Sequence, residues 1–321
     1  MVRKLLILSA GNGCTAEQVR NAAGRQFDIV ILPPSASVDV RMAAFSEAEI
    51  IIGEPTLEEL SVAKKLRWVQ MTWAGADRYL QSGFPEQVLL TTASGAFGET
   101  IAEHAVAMLT ALCRRLPAYV RCAEWCDLGT EKPLEKGTAM IFGAGDIGGN
   151  IARRLKSFNM RVIGVCRNPG KPRRAFDILT TLTGAESFLH EADFVLCALP
   201  HTPQTAGYFN AARLAKLKSD AVLVNVGRGS FINTDALCQC LQNGKLFGVG
   251  LDVVEPEPLP KEHPLWSMPN VVLTPHVAGV GFGHLAQTEK RIWEICAGNI
   301  RNYLCGSPLR NLVDTKRGKN I

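Results

Sequence analysis

The chain has 321 residues, 47% of them apolar and 20% charged, and a net charge of +5. That apolar content excludes disorder and is enough for more than one core, so two domains are expected. The positive excess is modest and gathered in one stretch without aromatic interleaving, which argues for a phosphate-bearing small ligand rather than nucleic acid.

The first residues, 1–14, place Arg3 and Lys4 before an apolar run and could pass for a leader peptide. The apolar core of about six residues falls short of the 7–15 a leader needs, and it reads as a first buried strand. Further strand-like runs at 29–32, 50–52, 68–71 and 89–91, each followed by a helical or turn segment, predict a small parallel α/β unit. An amphipathic helix over about 99–116 follows, with apolar spacing suited to burial between domains. A second series, at 140–142, 162–165, 194–198, 221–226, 248–251 and 271–273, predicts six strands of a doubly wound sheet. The last helix, about 284–304, leads to a tail with no partner nearby in sequence, so the chain must return to the first domain. Domain boundaries at 1–98 with 287–321, enclosing 99–286, follow from that return. No run of about 18 apolar residues predicts a membrane span.

The first strand of the second series runs into Gly143-Ala-Gly145-Asp146-Ile147-Gly148 and then a helix, the layout of a dinucleotide-binding turn. Gly143 allows the tight turn, Gly145 lets backbone amides approach a pyrophosphate, and Gly148 lets helix pack on strand. The phosphates are then expected at the positive helix end. A glycine pattern of this kind also arises by chance, but Ile147, Ile151 and Leu155 recur after it at helical spacing.

The next strand should end at the adenine ribose, about 20 residues beyond the glycines, where an NAD enzyme presents Asp or Glu. This chain presents Arg167 and then Asn168. Eight Lys and Arg residues fall between Asp146 and Asp177 with no carboxylate among them. Arg153, Arg154 and Lys156 are expected on a solvated helix face, whereas Arg167 sits where a 2′-phosphate would be read. Arg173 or Arg174 would add to it if the 169–172 turn folds back.

Ten cysteines lie scattered without paired spacing, as reduced thiols of a cytoplasmic protein would. Cys122 and Cys126 could share a helix face, but nothing completes a zinc site, and the six histidines show no ligand spacing. No metal is expected. His104, among Ala and Val on the long helix, reads as packing.

Arg228, Glu257 and His276 each stand at or just past the C-terminal end of an apolar strand, the edge where open α/β sheets bind ligands. An Arg fork can grip a carboxylate, and a His can exchange a proton with a ketone or hydroxyl oxygen while a nearby carboxylate keeps it charged. Each alone has a plain structural reading: a turn cap, a loop acid, a strand-end His. Together behind a dinucleotide turn they point to hydride transfer.

The ordered set GAGDIG, LPHTPQT, VNVGRG, LDVVEPEPLP, HPLW and TPHVAG resembles the D-isomer-specific 2-hydroxyacid dehydrogenase family over nearly the whole chain, closest to its glyoxylate/hydroxypyruvate and other 2-ketoacid reductases. The resemblance implies a doubly wound (Rossmann) nucleotide domain inserted in a smaller flavodoxin-like α/β substrate domain, with the active site in the cleft. It carries the family's substrate arginine onto Arg228, its acid onto Glu257 and its acid/base onto His276. The carboxylate-binding loop falls on Trp73, Ala74, Gly75 and Ala76. Cofactor contacts fall on Asp146, Ile147, Arg167, Pro200, Thr205, Val226, Arg228, Asp252, His276 and Gly279. The family's acidic ribose residue is missing, and His201 stands where the pattern is commonly apolar.

The function these residues imply is NAD(P)H-dependent reduction of a small 2-keto acid to the D-2-hydroxy acid, with NADPH preferred and NAD the alternative. The chain is expected to be a cytoplasmic homodimer, because apolar residues of the 99–116 helix would need cover, and to bind neither nucleic acid nor membrane. Phosphoglycerate oxidation is the alternative within the family, and a non-enzymatic nucleotide-sensing protein of the same fold is the alternative outside catalysis. Formate oxidation is disfavoured, since that branch carries Gln where Glu257 stands.

Overall fold

Short strands rich in Leu, Ile and Val, most of them buried on both faces, form two parallel sheets. The computed structural model describes residues 3–8, 13–80, 83–315 and 319–320, so Met1, Val2 and positions 9–12 of the opening segment lie outside the described residues. Two units divide the chain, Met1–Phe97 with Val280–Ile321, and Gly98–Gly279. The return to the first unit comes at Val280, ahead of the expected residue 287.

In the first unit, β1 (Arg3–Ile7), β2 (Phe27–Ile31), β3 (Ile50–Ile52), β4 (Trp68–Gln70) and β5 (Leu89–Thr91) are ordered β2-β1-β3-β4-β5, all parallel. This is the flavodoxin-like order. Helices α1 (Gly13–Ala23), α2 (Val38–Glu47), α3 (Leu57–Val62) and α4 (Asp77–Leu80) fill the crossovers. Buried Thr91 and Gln70 bind one another at 2.8 Å, Thr91 takes the Trp68 indole N–H at 2.8 Å, and Asn299 donates to Gln70 at 2.8 Å. Asn299 also exchanges hydrogen bonds with the Arg310 backbone, and Asn311 donates to the carbonyls of Thr92 and Ser94. These bonds seat the C-terminal tail beside β5.

The second unit opens with α5 (Gly98–Cys113), which ends short of Leu116 because Arg115 takes a left-handed φ of 51°. A separate turn of helix, α6 (Leu116–Arg121), follows. The buried side of α5 (Ala102, Ala105, Met108, Leu109, Leu112) packs into the core of its own unit with Ile141, Ile151 and Val224, so the expected burial between domains is replaced by packing on the sheet. That sheet comprises β6 (Thr138–Phe142), β7 (Arg161–Val165), β8 (Ile178–Thr180), β9 (Phe194–Cys197), β10 (Val222–Asn225), β11 (Gly248–Leu251) and β12 (Val271–Leu273). Their order, β12-β11-β10-β9-β6-β7-β8, reverses at β6 and β9, the crevice where a doubly wound fold takes its nucleotide. Helices α7 (Asp146–Lys156), α8 (Ala211–Lys216) and α9 (Thr234–Gln242) cross between strands.

The seventh strand, β8, is one more than the sequence predicts. It is a three-residue edge strand of half-buried residues flanked by Asp177 and Thr181, without an apolar run to announce it. The chain ends with α10 (Ala286–Leu304), β13 (Val313–Asp314) and β14 (Lys319–Asn320). No helix among the described residues is long and apolar enough to cross a membrane.

Candidate active site

The dinucleotide turn is built by close approach. A Cβ on Gly148 would stand 1.7 Å from the Gly143 carbonyl oxygen, and one on Gly143, whose φ is 108°, would stand 2.7 Å from the Ala198 carbonyl oxygen. Gly145 is different: a Cβ there meets nothing within 4 Å, and the residue is exposed at the N-terminus of α7. Open space against helix amides is what a pyrophosphate requires, so the turn fits a dinucleotide. Asp146, in the first turn, accepts from Asn150, and Ile147 is half-buried beside it.

The basic stretch sorts by partner. Arg154 pairs with Glu103, Lys156 with Asp177 and Arg161 with Glu191, while Arg153 donates to Asn150, so the α7 face is paired rather than merely solvated. Beyond β7, Arg173 folds back, its Nη1 donating to the Cys166 Sγ at 3.0 Å and to the Asn168 carbonyl at 3.4 Å. Arg167, Asn168 and Arg174 are exposed at the same strand end, and Arg173 and Arg174 line a groove with Pro169, Pro172 and Phe176. Among the described residues, Arg167 has no ion pair.

After β9, Thr205 closes a turn: its hydroxyl donates to the Pro200 carbonyl at 2.8 Å and it accepts from the Thr202 amide at 2.8 Å. Buried Thr205 therefore shapes the Pro200 turn. His201 in that turn contacts the Ser230 hydroxyl through Nδ1 at 2.7 Å, joining it to the loop that carries Arg228.

The neighbouring strands β10, β11 and β12 deliver the three chemical candidates from one edge. Past β10, buried Val226 leads to Arg228, half-buried, with Nη1 donating to the Gly227 carbonyl at 2.8 Å and its own carbonyl held by Asn225 at 3.0 Å. Gly229 must be glycine, because a Cβ would lie 1.9 Å from the Val254 carbonyl oxygen. That contact brings the Arg228 turn against the loop carrying Glu257. Glu257 in turn accepts the Val254 amide on one oxygen at 3.1 Å, and its other oxygen meets His276 Nδ1 at 3.0 Å. A carboxylate only accepts, so Nδ1 carries the proton and the exposed ring presents Nε2 for proton exchange.

His276 has a left-handed φ of 55°, a conformation that persists in a non-glycine residue only where the surroundings over-determine it. Asp252, 3% exposed at the end of β11, does so. Its carbonyl accepts the His276 amide at 2.8 Å. Its carboxylate accepts from the Thr274 hydroxyl at 2.5 Å and from the amides of Val277 at 2.9 Å and Ala278 at 3.1 Å. His104 Nε2 stands 3.0 Å from the Thr274 hydroxyl and 3.7 Å from Asp252, so it joins this polar chain instead of merely packing. The α5 periodicity marks His104 as inward-facing, but nothing in sequence pairs it with a residue 170 positions away. Gly279 follows the anchored amides at the end of this unit.

In the first unit, the 73–76 loop follows β4. Trp73 is 45% exposed, Ala74 and Gly75 are half-buried and Ala76 is buried. Burial pushes the Cys113 thiol up to about 12 and raises Cys197 and Cys296 as well. Cys122 and Cys126 approach at 3.2 Å on the surface, and the described residues hold no cluster of three or more metal-ligating groups.

Known proteins resemble this chain in sequence and fold. A profile of the D-isomer specific 2-hydroxyacid dehydrogenase NAD binding domain matches residues 104–278. The chain is 33% identical over 295 residues to glyoxylate/hydroxypyruvate reductase B of Escherichia fergusonii, covering 88% of this chain and 90% of that one. A D-isomer specific 2-hydroxyacid dehydrogenase family protein from Aeromonas salmonicida superposes with a TM-score of 0.86 at 34% identity, covering 98% and 100% of the two chains. The NADPH-dependent glyoxylate/hydroxypyruvate reductase of Sinorhizobium meliloti, solved with NADP and sulfate, superposes with a TM-score of 0.82 at 28% identity, covering 99% and 100%.

Proposed function

The chain belongs to the D-isomer specific 2-hydroxyacid dehydrogenase family, and from that premise we propose that it reduces a small 2-keto acid of the glyoxylate/hydroxypyruvate type to the D-2-hydroxy acid, with NADPH as the preferred cofactor. The observation that carries this reading is the His276–Glu257 pair, an oriented imidazole with one nitrogen tied and one exposed. Bound at the Gly145 turn, the nicotinamide cofactor supplies the hydride. Arg228 holds the substrate carboxylate through its guanidinium fork. As further anion donors we propose the amides of Ala74, Gly75 and Ala76. His276 Nε2 gives its proton to the C2 oxygen as the carbonyl becomes an alkoxide, and Glu257 keeps the ring turned so that Nε2 faces outward. Asp252 fixes the backbone from which the ring projects.

Phosphate recognition is assigned to Arg167, with Arg173 folded alongside it. A hydrogen bond to a charged group is worth roughly 1.5–3 kcal/mol, so NADPH should exceed NADH in kcat/KM by about 10- to 150-fold. Measuring both ratios in the parent and in Arg167→Ala tests this. Equal use of the two cofactors by the parent, or a preference that survives the substitution, would show Arg167 to be a surface charge without a part in recognition. Free thiols throughout the described residues support a cytoplasmic setting. Solvent-facing Leu116, Val120 and Trp125 support assembly as a homodimer.

A further inference from the structure

Glu54 lies two residues past the end of β3, in a segment held by its neighbours. Gly53, with a φ of 128°, turns the chain so tightly that a Cβ would stand 2.7 Å from Leu8 Cβ, and its amide is bound to the Gln70 carbonyl at 2.9 Å. The Tyr79 hydroxyl donates to the Pro55 carbonyl at 2.7 Å, and Thr56 opens α3 with a capping box closed by Glu59. From this fixed base the Glu54 carboxylate reaches the loop that leaves β4. One oxygen accepts the Thr72 amide at 2.7 Å and the Trp73 amide at 3.2 Å, and both lie 3.0 Å from the Thr72 hydroxyl. The Trp73 carbonyl is held from the other side by the Ala93 amide at 2.9 Å.

A carboxylate placed here is costly. Burial pushes the Glu54 carboxyl above the ordinary glutamate range, and the Thr72 and Trp73 donors oppose that push. The sheet needs no charge at this point, since β3 and β4 are already bonded in register. What the carboxylate does is take the first two amides of the loop and turn them inward. Among the described residues the next three amides, those of Ala74, Gly75 and Ala76, make no hydrogen bond within the protein, and they follow two peptide units whose planes are fixed.

We propose that Glu54 is a positioning residue for carboxylate recognition: it consumes the Thr72 and Trp73 amides and thereby presents the Ala74, Gly75 and Ala76 amides as a preformed set of donors for the substrate carboxylate. The inference rests on the proposed 2-keto acid reduction. A preformed donor set binds without an ordering cost, so loosening it weakens ground-state binding more than it slows the chemical step.

The test measures kcat and KM for glyoxylate at saturating NADPH in the parent, Glu54→Ala and Glu54→Gln, with NADPH affinity and thermal stability followed alongside. Glu54→Ala should raise the glyoxylate KM about 10- to 100-fold while kcat falls by less than about threefold and NADPH affinity holds. Glu54→Gln keeps a carbonyl oxygen where the two amides can reach it and should stay within about threefold of the parent KM. Amide exchange at Thr72 and Trp73 should quicken in the alanine variant and not in the glutamine variant. An active parent with an unmoved KM in Glu54→Ala overturns the inference alone, as do equal KM rises in both variants accompanied by lost stability. A parent that reduces no 2-keto acid overturns the reading of the site and this inference together.

Discussion

His276 is the proposed proton donor, and its geometry is decided by residues to which no chemistry is assigned. Its left-handed backbone is held by Asp252, its ring by Glu257, and the loop holding Glu257 by the Gly229–Val254 contact. Arg228 belongs to the same chain of contacts but is assigned a different task in the proposed reaction, so its loss should read differently. Arg228→Ala should raise KM for the keto acid with kcat less affected, because a charge-assisted fork to the carboxylate is lost from the bound ground state as well as the transition state. An unchanged KM, measured at saturating NADPH, would mean that another group anchors the carboxylate. Arg228, Glu257 and His276 are legible in the sequence because each is a chemically potent residue at the end of an apolar strand. Glu54, Thr274 and His104 are not, because their meaning lies in partners 18 to 170 positions away. Asp252 reads from the sequence as a cofactor contact, and its anchoring of three amides shows only when β11 and β12 stand side by side.

At the scale of elements, the strands were legible wherever both faces are buried, since an unbroken apolar run bounded by turns has few other readings. β8 was hidden by its edge position, and the end of α5 by Arg115, whose left-handed turn has no sequence marker such as glycine. A titrating contact ties β1 to its surroundings. Arg3 binds Glu49 at 2.8 Å, the Tyr303 hydroxyl donates to Glu49 at 2.9 Å, and Tyr303 stacks on Trp68 with ring centroids 5.3 Å apart. The Arg3 hydrogen bond, supported by Tyr303, holds the Glu49 carboxyl below its ordinary value of 4.5. A carboxylate depressed in the folded state stabilises above its unfolded value and loses that contribution as pH falls through the folded one. Urea unfolding of the parent and Glu49→Gln should therefore differ at neutral pH and converge as pH drops below 4.5. A gap of constant size across that window would assign the effect of the substitution to packing.

At the scale of the whole molecule, the discontinuous first unit was legible from a tail that has no partner of its own and must return to earlier strands, as Asn299 and Asn311 make it do. The surface proposed for self-association differs from the one the sequence suggests. The apolar residues of α5 prove to be covered by their own sheet, and the uncovered ones lie just past it at Leu116, Val120 and Trp125, the last two 85% and 107% exposed. Sedimentation at micromolar concentration should give a dimer, and Val120→Lys with Trp125→Lys should shift it toward monomer; a parent that sediments as monomer would contradict the assignment. The roles proposed for His276, Arg228 and Glu54 depend on one reaction. The most direct test follows NADPH oxidation with glyoxylate and hydroxypyruvate in the parent and in His276→Gln, with NADPH binding measured separately. The parent should turn over at least one of the two acids, and the variant should bind NADPH as the parent does while kcat falls by about 10²- to 10⁴-fold, the usual size of a general acid effect. Near-parent turnover by His276→Gln, or a parent that oxidises NADPH with neither acid, would contradict the account.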